Sequence, residues 1–220
     1  MSLKNEAHLT ALLTQGINEL GLSLDEHQIG QMIAYLSLLS KWNSVYNLTA
    51  IRDPEDMVRQ HLLDSLSVVP AFAQAENVLD VGSGGGLPGI VLAIAYPQKR
   101  ISMIDTVSKK TAFQTQVKGE LGLKNVTVHT GRVEQLQVKT LFDVITSRAF
   151  SELCNFINWS GHLLAPGGRF VAMKGVNPLE EIGRLPQGWQ VSGVQELHVP
   201  GLNAERHLVF VERSADAKQH

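Results

Sequence analysis

The sequence predicts an α/β protein in which a mostly parallel, seven-stranded, Rossmann-like sheet follows a helical N-terminal extension. From Asn77 onward, short apolar runs with β-branched members alternate with stretches of helical spacing. Such alternation is typical of a parallel sheet with helices on both faces. The first 70 residues show helical spacing only. We therefore expect an extension packed on the core over residues 1–70, the core itself over 71–213 and a disordered tail over 214–220.

Three helices are predicted in the extension. The first runs from about Glu6 to Leu20 and ends at Gly21. Ser23 to Glu26 has the spacing of a capping box, and an amphipathic helix follows it. Its apolar residues recur every three or four positions: Ile29, Met32, Ile33, Leu36, Leu39 and Trp42. The third helix runs from about Asp56 to Val69, where Pro70 ends it.

Seven strands are predicted in the core, near residues 77–82, 100–105, 126–130, 142–147, 168–174, 189–199 and 206–212. Helices are expected between each of the first five strands. The clearest of these are Lys109 to Leu121 and Glu152 to Leu164. The last two strands follow each other closely, as in a hairpin.

Composition narrows the function classes. The chain has 220 residues, 44% of them hydrophobic, and a net charge of −2. This charge argues against binding nucleic acid through bulk charge, so an RNA partner would have to meet a local basic patch. The single cysteine excludes an intrachain disulfide. No apolar run reaches the roughly 18 residues of a membrane span, and no signal peptide is visible, so a cytoplasmic location is expected.

A glycine-rich turn follows the first strand. Asn77 to Val81 forms a short apolar run, and glycines at 82, 84, 85, 86 and 89 come directly after it. Glycine lacks Cβ, so its backbone can adopt positive φ and lie directly against a ligand. Pro88 suits the first turn of the next helix. The segment therefore predicts strand, tight loop and helix around a nucleotide-type cofactor.

Two cofactor classes use this arrangement. Gly84, Gly86 and Gly89 satisfy G-x-G-x-x-G, and Asp105 ends the next strand, where its carboxylate can accept ribose hydroxyls, so NAD is allowed. Asp80, two residues before Gly82, instead resembles the first motif of class I S-adenosylmethionine-dependent methyltransferases. An acid beside the glycine turn can help bind an amino-acid tail. A plain tight turn in an unrelated α/β domain is the third alternative.

Ligands of such sheets bind at the carboxyl ends of the strands. Val133 and Glu134 follow the third strand, where a backbone amide could read an adenine edge. Arg148 follows the fourth strand and could hold a cofactor or a phosphate, or be a surface cation. Lys174 follows the fifth strand, either as an RNA contact or as a solvated strand end. With Lys109, Lys110 and Arg206, these two cations are expected to form a positive rim around the pocket.

Five motifs in order resemble a known family. They are Asn47-Leu48-Thr49, Arg59-Gln60-His61-Leu62-Leu63-Asp64-Ser65, Gly82-Ser83-Gly84-Gly85-Gly86-Leu87-Pro88-Gly89-Ile90, Ser147-Arg148-Ala149-Phe150 and Lys174-Gly175. Together they are similar to the bacterial 16S ribosomal RNA guanine-N7 methyltransferases once called glucose-inhibited division protein B. The resemblance covers roughly residues 25 to 212.

The resemblance implies methyl transfer from S-adenosylmethionine to guanine N7 in 16S rRNA, on naked RNA or on the small ribosomal subunit. It implies cofactor contacts at Gly82, Leu87, Val133, Glu134 and Arg148, and it places Asp105 at the ribose. Gly84 joins this set through the glycine motif. Lys109-Lys110 stands where the family commonly has Lys-Arg, so a guanidinium fork is missing there.

This chemistry explains why no catalytic base stands out. Guanine N7 has a lone pair and no proton, so positioning can provide most of the acceleration. Cys154 lies in an apolar helical stretch and is expected to be a small buried hydrophobe rather than a nucleophile. His61 and Asp64 could brace the cofactor pocket or contact substrate. No metal spacing is present. An NAD-dependent oxidoreductase and a non-catalytic nucleotide-binding partner of the ribosome remain the alternatives.

Overall fold

The N-terminal third of the protein is helical. The structure is a computed structural model that describes residues 5–176 and 178–214. A single helix, interrupted by a π turn, occupies most of residues 54–66. The N-terminal elements are α1 (Glu6–Glu19), α2 (Glu26–Tyr46), α3 (Pro54–Met57), the π turn (Val58–Leu63), α4 (Asp64–Leu66) and a 3-10 helix (Val69–Phe72).

The core is one seven-stranded sheet, as predicted. Its strands are β1 (Asn77–Val81), β2 (Arg100–Asp105), β3 (Val126–Thr130), β4 (Phe142–Arg148), β5 (Leu164–Lys174), β6 (Trp189–Glu196) and β7 (His207–Arg213). Its helices are α5 (Gly89–Ala95), α6 (Ser108–Glu120), α7 (Leu153–Ser160) and α8 (Leu179–Ile182). The strand order is β3-β2-β1-β4-β5-β7-β6.

Strand direction decides which residues meet at one edge of the sheet. The first five strands are parallel, so their carboxyl ends lie along a single edge. β7 is antiparallel to β5, and Lys174 at the end of β5 pairs with His207 at the start of β7. Arg206, directly before β7, is therefore carried to the same edge as the carboxyl ends of β1 to β5.

Three local predictions were wrong. The α2 capping box uses Asp25 and Gln28, not Ser23 and Glu26, because Gln28 also donates to the carbonyls that end α5 and so fixes where α2 begins. The segment between β3 and β4 forms a 3-10 turn, Val133–Gln135, rather than an α-helix. The predicted helix from Asp56 to Val69 starts at Pro54 and contains the π turn, because tertiary contacts decide its course.

The extension and the sheet share one hydrophobic core. Leu9 and Leu13 of α1, Tyr35 of α2 and Phe113 of α6 belong to the same buried cluster, which reaches residues of β1 and β5. Tyr35 also donates its hydroxyl to the carbonyl of Gly85 at 2.8 Å. The extension therefore packs directly on the glycine-rich turn. No helix in the described ranges is long and apolar enough to cross a membrane.

The disordered tail expected over residues 214–220 lies outside the described residues, except for Ser214.

Candidate functional site

A cavity of about 590 Å³ opens at the carboxyl ends of β1, β2 and β3. We call it the glycine-turn cavity, because Gly82 forms part of its wall. Residues from four strand ends, α6 and α7 line it: Val81, Gly82, Ile104, Asp105, Thr106, Val107, Lys110, Gly131, Arg132, Val133, Glu134, Ala149, Phe150 and Trp159. It lies where ligands of parallel α/β sheets bind.

Backbone conformation explains two of the glycines in the turn. Gly82 has φ +68°, a left-handed conformation in which a side chain would also collide with the Phe150 ring. Gly89 begins α5, and a Cβ there would approach Met103 of β2 to 2.6 Å. The first glycine therefore brings the backbone to the cavity, and the second lets α5 pack closely against the sheet. Gln114 of α6 holds the turn by donating to the Ser83 hydroxyl and the Gly84 carbonyl, each at 2.8 Å.

Asp105 is fixed at the end of β2 by backbone donors. One carboxylate oxygen accepts the N–H of Gly84 and the other accepts the N–H of Val107, both at 2.9 Å. The Lys110 ammonium lies 3.7 Å from the same carboxylate. Because each carboxylate oxygen has about two acceptor sites, both oxygens keep capacity for a ligand hydroxyl.

Asp80 carries an unsatisfied buried oxygen. Its Oδ2 accepts the N–H of Gly89 at 2.9 Å, whereas Oδ1 has no hydrogen-bond partner among the described residues. Burial raises the pKa of Asp80 to about 7 and Asp105 adds to this increase, while the Gly89 N–H and the Arg148 charge act against it. A buried polar atom without a partner is uncommon and indicates a missing ligand or water. A cationic donor would satisfy Oδ1 and favour the ionised carboxylate.

A second cavity, of about 390 Å³, adjoins the first at Ala149. We call it the arginine cavity. The extension, the ends of β4 and β5 and the residue before β7 all contribute to its lining: Ile51, Gln60, His61, Asp64, Arg148, Ala149, Met173, Lys174, Gly175 and Arg206. Ala149 has φ +53°, in the left-handed region that non-glycine residues seldom adopt and that recurs at functional sites.

One buried carboxylate joins the two arginines of this cavity. Arg148 donates through Nη1 to Oδ2 of Asp64 at 3.0 Å, and Arg206 donates through Nε to Oδ1 at 2.7 Å. Arg148 also donates to the carbonyl of Gln60 in the π turn. The side chain of Asp64 is only 4% exposed, whereas both arginines remain partly accessible. Asp64 therefore orients two cations whose remaining N–H groups can reach the cavity.

His61 ties the π turn to the segment after α2. Its Nδ1 faces the carbonyl of Gln60, which can only accept, so Nδ1 carries the proton and Nε2 accepts from the Thr49 hydroxyl at 3.0 Å. Burial lowers the pKa of His61 to about 4, and the charge of Arg148 acts in the same direction. His61 is therefore a neutral brace between the π turn and Thr49, and it lines the arginine cavity rather than the glycine-turn cavity, so a role in bracing the cofactor stays a prediction.

Lys174 links the end of β5 to the loop after β4. Its ammonium donates to the carbonyl of Ser151 at 2.9 Å and to Glu181 of α8 at 2.8 Å. Glu181 in turn accepts the backbone N–H of Leu153. Lys174 is thus a paired cation in the cavity wall rather than a freely solvated strand end.

The residues predicted from the sequence divide between the two cavities. Gly82, Asp105, Val133 and Glu134 line the glycine-turn cavity. Arg148 lines the arginine cavity together with the predicted RNA contacts Lys174 and Arg206. Gly84 and Leu87 line neither: Gly84 faces Asp105 through its N–H, and Leu87 is packed in the core. Direct cofactor contact by Arg148, Gly84 and Leu87 stays a prediction.

The sequence reasoning missed three contributors. Trp159 lies on α7 and faces the glycine-turn cavity, but an aromatic residue on an amphipathic helix is typical of a core position. Gln114 supports the turn from α6, and Gln60 offers its carbonyl to Arg148. Only Gln60 carried a signal, since it stands inside a motif of the resemblance.

Cys154 departs from its predicted burial. It is half-buried, and its sulfur accepts from the Asn158 amide at 3.4 Å, because it lies on the flank of α7 rather than on the packed face. Among residues 5–176 and 178–214, no three His, Cys, Asp or Glu side chains are grouped closely enough to hold a metal ion.

Comparison with known proteins gives matches along nearly the whole chain. A family model described as GidB, rRNA small subunit methyltransferase G, matches residues 28–209. A protein named ribosomal RNA small subunit methyltransferase G from Janthinobacterium sp. (strain Marseille) is 65% identical over 210 residues, covering 94% of this chain and 96% of that protein. The protein of the same name from Herminiimonas arsenicoxydans is also 65% identical, covering 93% of this chain and 96% of that protein.

Solved structures resemble the fold at low sequence identity. The O-methyltransferase TomG from Streptomyces achromogenes, in complex with SAM, superposes with a TM-score of 0.59 at 16% identity. The match covers 92% of this chain and 96% of TomG. It shows the class I methyltransferase fold.

Proposed function

Because the chain belongs to the rRNA small subunit methyltransferase G family, we propose that it transfers the methyl group of S-adenosylmethionine to N7 of a guanine in 16S ribosomal RNA. The observation that carries this proposal is the pairing of the glycine-turn cavity with the adjoining arginine cavity. One cavity suits a nucleoside cofactor and the other an anionic substrate. Family membership favours this activity over an NAD-dependent oxidoreductase and over a non-catalytic ribosome partner.

The residues of the glycine-turn cavity fit S-adenosylmethionine. Asp105 keeps acceptor capacity for ribose hydroxyls. Asp80 is fully buried next to Val81 and does not line the cavity itself, so its unpartnered oxygen favours the positively charged amino-acid tail through its charge or through water. Val133 provides backbone and apolar surface beyond β3, while Phe150 and Trp159 offer aromatic faces. An adenine ring can stack on such faces.

The bond changes need no proton transfer. When bound, S-adenosylmethionine supplies an electrophilic methyl group on a positively charged sulfur. The N7 lone pair of guanine forms the new bond to carbon while the carbon–sulfur bond breaks, and that electron pair stays on sulfur. The positive charge passes to the guanine ring.

The chain contributes by positioning rather than by acid–base chemistry. Both ring nitrogens of His61 are engaged, and Asp64 is held by two arginines, so neither is poised to remove a proton. Arg148, Lys174 and Arg206 instead bind the RNA. We place the passage between cofactor and substrate at Ala149, because this residue lines both cavities. Aligning two reactants in this way can provide most of the rate acceleration.

Methyl transfer with labelled S-adenosylmethionine tests this proposal. Unmethylated 16S rRNA and small ribosomal subunits are incubated separately with the protein, and the nucleosides are analysed by mass spectrometry. Label is expected only in 7-methylguanosine of the small-subunit RNA, and 23S rRNA should remain unlabelled. Label in another base, or none despite cofactor binding, would contradict the proposal.

The same assay tests the absence of a base. At saturating S-adenosylmethionine, the single-turnover rate should change little between about pH 6 and 9, because no enzyme group must lose a proton. A bell-shaped profile would indicate a different acceptor atom.

A further inference from the structure

The arginine cavity has more positive charge than the protein neutralises. Three cationic side chains and one carboxylate line it, and His61 is neutral. Lys174 is paired with Glu181, so the remaining charges are two arginines that share Asp64. One positive charge is therefore uncompensated in a partly desolvated cavity, where an anion is favoured.

The arginines also have donors to offer. A guanidinium carries five N–H groups. Arg148 uses Nη1 for Asp64 and Gln60, and Arg206 uses Nε for Asp64 and Nη1 for the Glu205 carbonyl. Within the described part of the chain, Nη2 of either arginine has no hydrogen-bond partner. Asp64 and the backbone hold both side chains in place, so these donors are pre-oriented.

The reaction itself argues against placing the guanine ring among these cations. Arginine usually contacts guanine at O6 and N7, and a donor on N7 would occupy the lone pair that has to attack the methyl group. Positive charge also develops on the ring during transfer, and nearby cations would oppose it. The base therefore belongs at the passage beside Ala149, with the arginines contacting another part of the nucleotide.

Resting on the proposed function, we infer that the arginine cavity binds a backbone phosphate next to the target guanosine. Arg148 and Arg206 contact the phosphate, and Asp64 positions both of them. Arginine suits this task because its planar fork matches the oxygens of a phosphate. The phosphate fixes the nucleotide so that N7 faces the cofactor through the passage.

Chemical neutralisation of single phosphates tests this inference without altering the protein. Substrate RNAs carry one uncharged methylphosphonate, on either the 5′ or the 3′ side of the target guanosine. For one of the two, kcat/KM of the wild-type protein should fall about tenfold, the scale of one charge-assisted hydrogen bond. Unchanged kcat/KM with both RNAs would overturn the inference.

A double-mutant cycle assigns the contact. Arg206→Gln should lower kcat/KM on ordinary RNA by a similar factor. Neutralising the contacted phosphate should then lower the kcat/KM of this variant little further. Arg206→Lys should recover part of the activity. Arg100 is an exposed cation at the opposite edge of the sheet. Arg100→Gln is therefore the matched control, and phosphate neutralisation should lower its kcat/KM by the full factor.

The outcomes separate the two proposals. If the losses of kcat/KM caused by Arg206→Gln and by phosphate neutralisation are fully additive at both phosphates, the phosphate site is overturned. The methyl-transfer activity is not affected by that outcome. If the wild-type protein forms no 7-methylguanosine in these RNAs, whether free or assembled into small ribosomal subunits, the proposed function fails instead. Unchanged S-adenosylmethionine affinity in Arg206→Gln shows that the variant is folded.

Discussion

Ionised Asp80 should lower the stability of the fold while it favours binding of the cofactor. It is fully buried and keeps one oxygen without a partner, and its pKa is raised to about 7 by burial. A carboxyl group with a raised pKa stabilises the fold when protonated. This contribution is fully present below the unfolded pKa of 3.8 and is lost as pH rises through about 7.

Replacing the carboxylate should therefore have a pH-dependent effect. Asp80→Asn cannot ionise, so its melting temperature should exceed that of the wild-type protein above about pH 7. The difference should shrink as pH falls toward about 4. Thermal denaturation across this range measures it, with Asp56→Asn, whose side chain is 51% exposed, as the control. A melting-temperature difference that does not change with pH would show that ionised Asp80 does not oppose folding.

The same substitution should weaken cofactor binding. The ammonium of S-adenosylmethionine favours ionised Asp80, so Asp80→Asn should reduce its affinity about tenfold, and wild-type affinity should decline as pH falls below about 7. Calorimetric titration at pH 6 and pH 8 distinguishes the variants. Equal affinities for both proteins at pH 8 would exclude Asp80 from the tail-binding site.

Two glycines with similar backbones should respond differently to a methyl group. Gly82→Ala and Gly84→Ala should each lose about 1 kcal/mol of unfolding free energy to backbone strain, because both residues have positive φ. Gly82→Ala should lose more, because the Phe150 ring has to move. Only at Gly82 does the new methyl group meet the Phe150 ring at the cavity wall, whereas the space beside Gly84 is open. Gly82→Ala should therefore bind S-adenosylmethionine at least about tenfold more weakly, while Gly84→Ala should retain wild-type affinity. Equal losses of affinity in both would contradict this arrangement.

At the scale of elements, the π turn is the feature that the sequence did not reveal. The apolar spacing between Asp56 and Val69 predicts a regular helix, since one extra residue in a turn leaves no mark in a short pattern. The turn is defined instead by contacts with distant residues, as Thr49 bonds to His61 and Arg148 bonds to the Gln60 carbonyl. π turns of this kind are frequent at functional sites.

Loosening this turn should impair transfer without affecting the cofactor. Thr49→Val removes the hydroxyl that donates to His61 and accepts the N–H of Ile51, which should lower the unfolding free energy by about 1–2 kcal/mol. KM for RNA should rise because Asp64 follows the turn, whereas S-adenosylmethionine affinity should not change. Thr14→Val is the control, because its hydroxyl bonds only within α1. An unchanged KM for RNA in Thr49→Val would show that the π turn does not support substrate binding.

At the scale of the whole molecule, the N-terminal helices pack on one face of the sheet. Their buried side chains share a cluster with residues of β1, β2 and β5, whereas the other face of the sheet forms a second cluster with α7. Gly16 of α1 lets Leu63 approach so closely that a Cβ would lie 2.5 Å from it. The boundary at residue 70, which was predicted from the change from helical spacing to strand–helix alternation, therefore divides elements in the sequence but does not divide this shared cluster.

Unfolding should consequently occur in one step. Trp42 lies in the extension, whereas Trp159 and Trp189 report on the sheet side. Urea titrations followed by fluorescence, in variants that keep only one side's tryptophans, should give the same midpoint. A chain starting at residue 71 should lack a cooperative transition. Two separate midpoints in the full chain would show that the extension folds independently.

The sequence predicted the architecture better than the site. All seven strands lie close to their expected positions, because alternating apolar runs report directly on burial. Gly82, Asp105, Val133 and Glu134 meet in one cavity because they follow parallel strands. The pairing of Asp64 with Arg206 could not be read from any local pattern, since these residues lie 142 positions apart.

The position of Arg206 also has a consequence for the order in which the protein acquires its two cavities during synthesis. All residues of the glycine-turn cavity lie between positions 81 and 159, whereas the arginine cavity lacks a wall until residue 206 has been added. A domain folds as a unit. A growing chain therefore contains every residue of its cofactor wall well before its RNA wall is complete, and the ribosome that makes the protein must add nearly the whole chain before the product can modify ribosomal RNA.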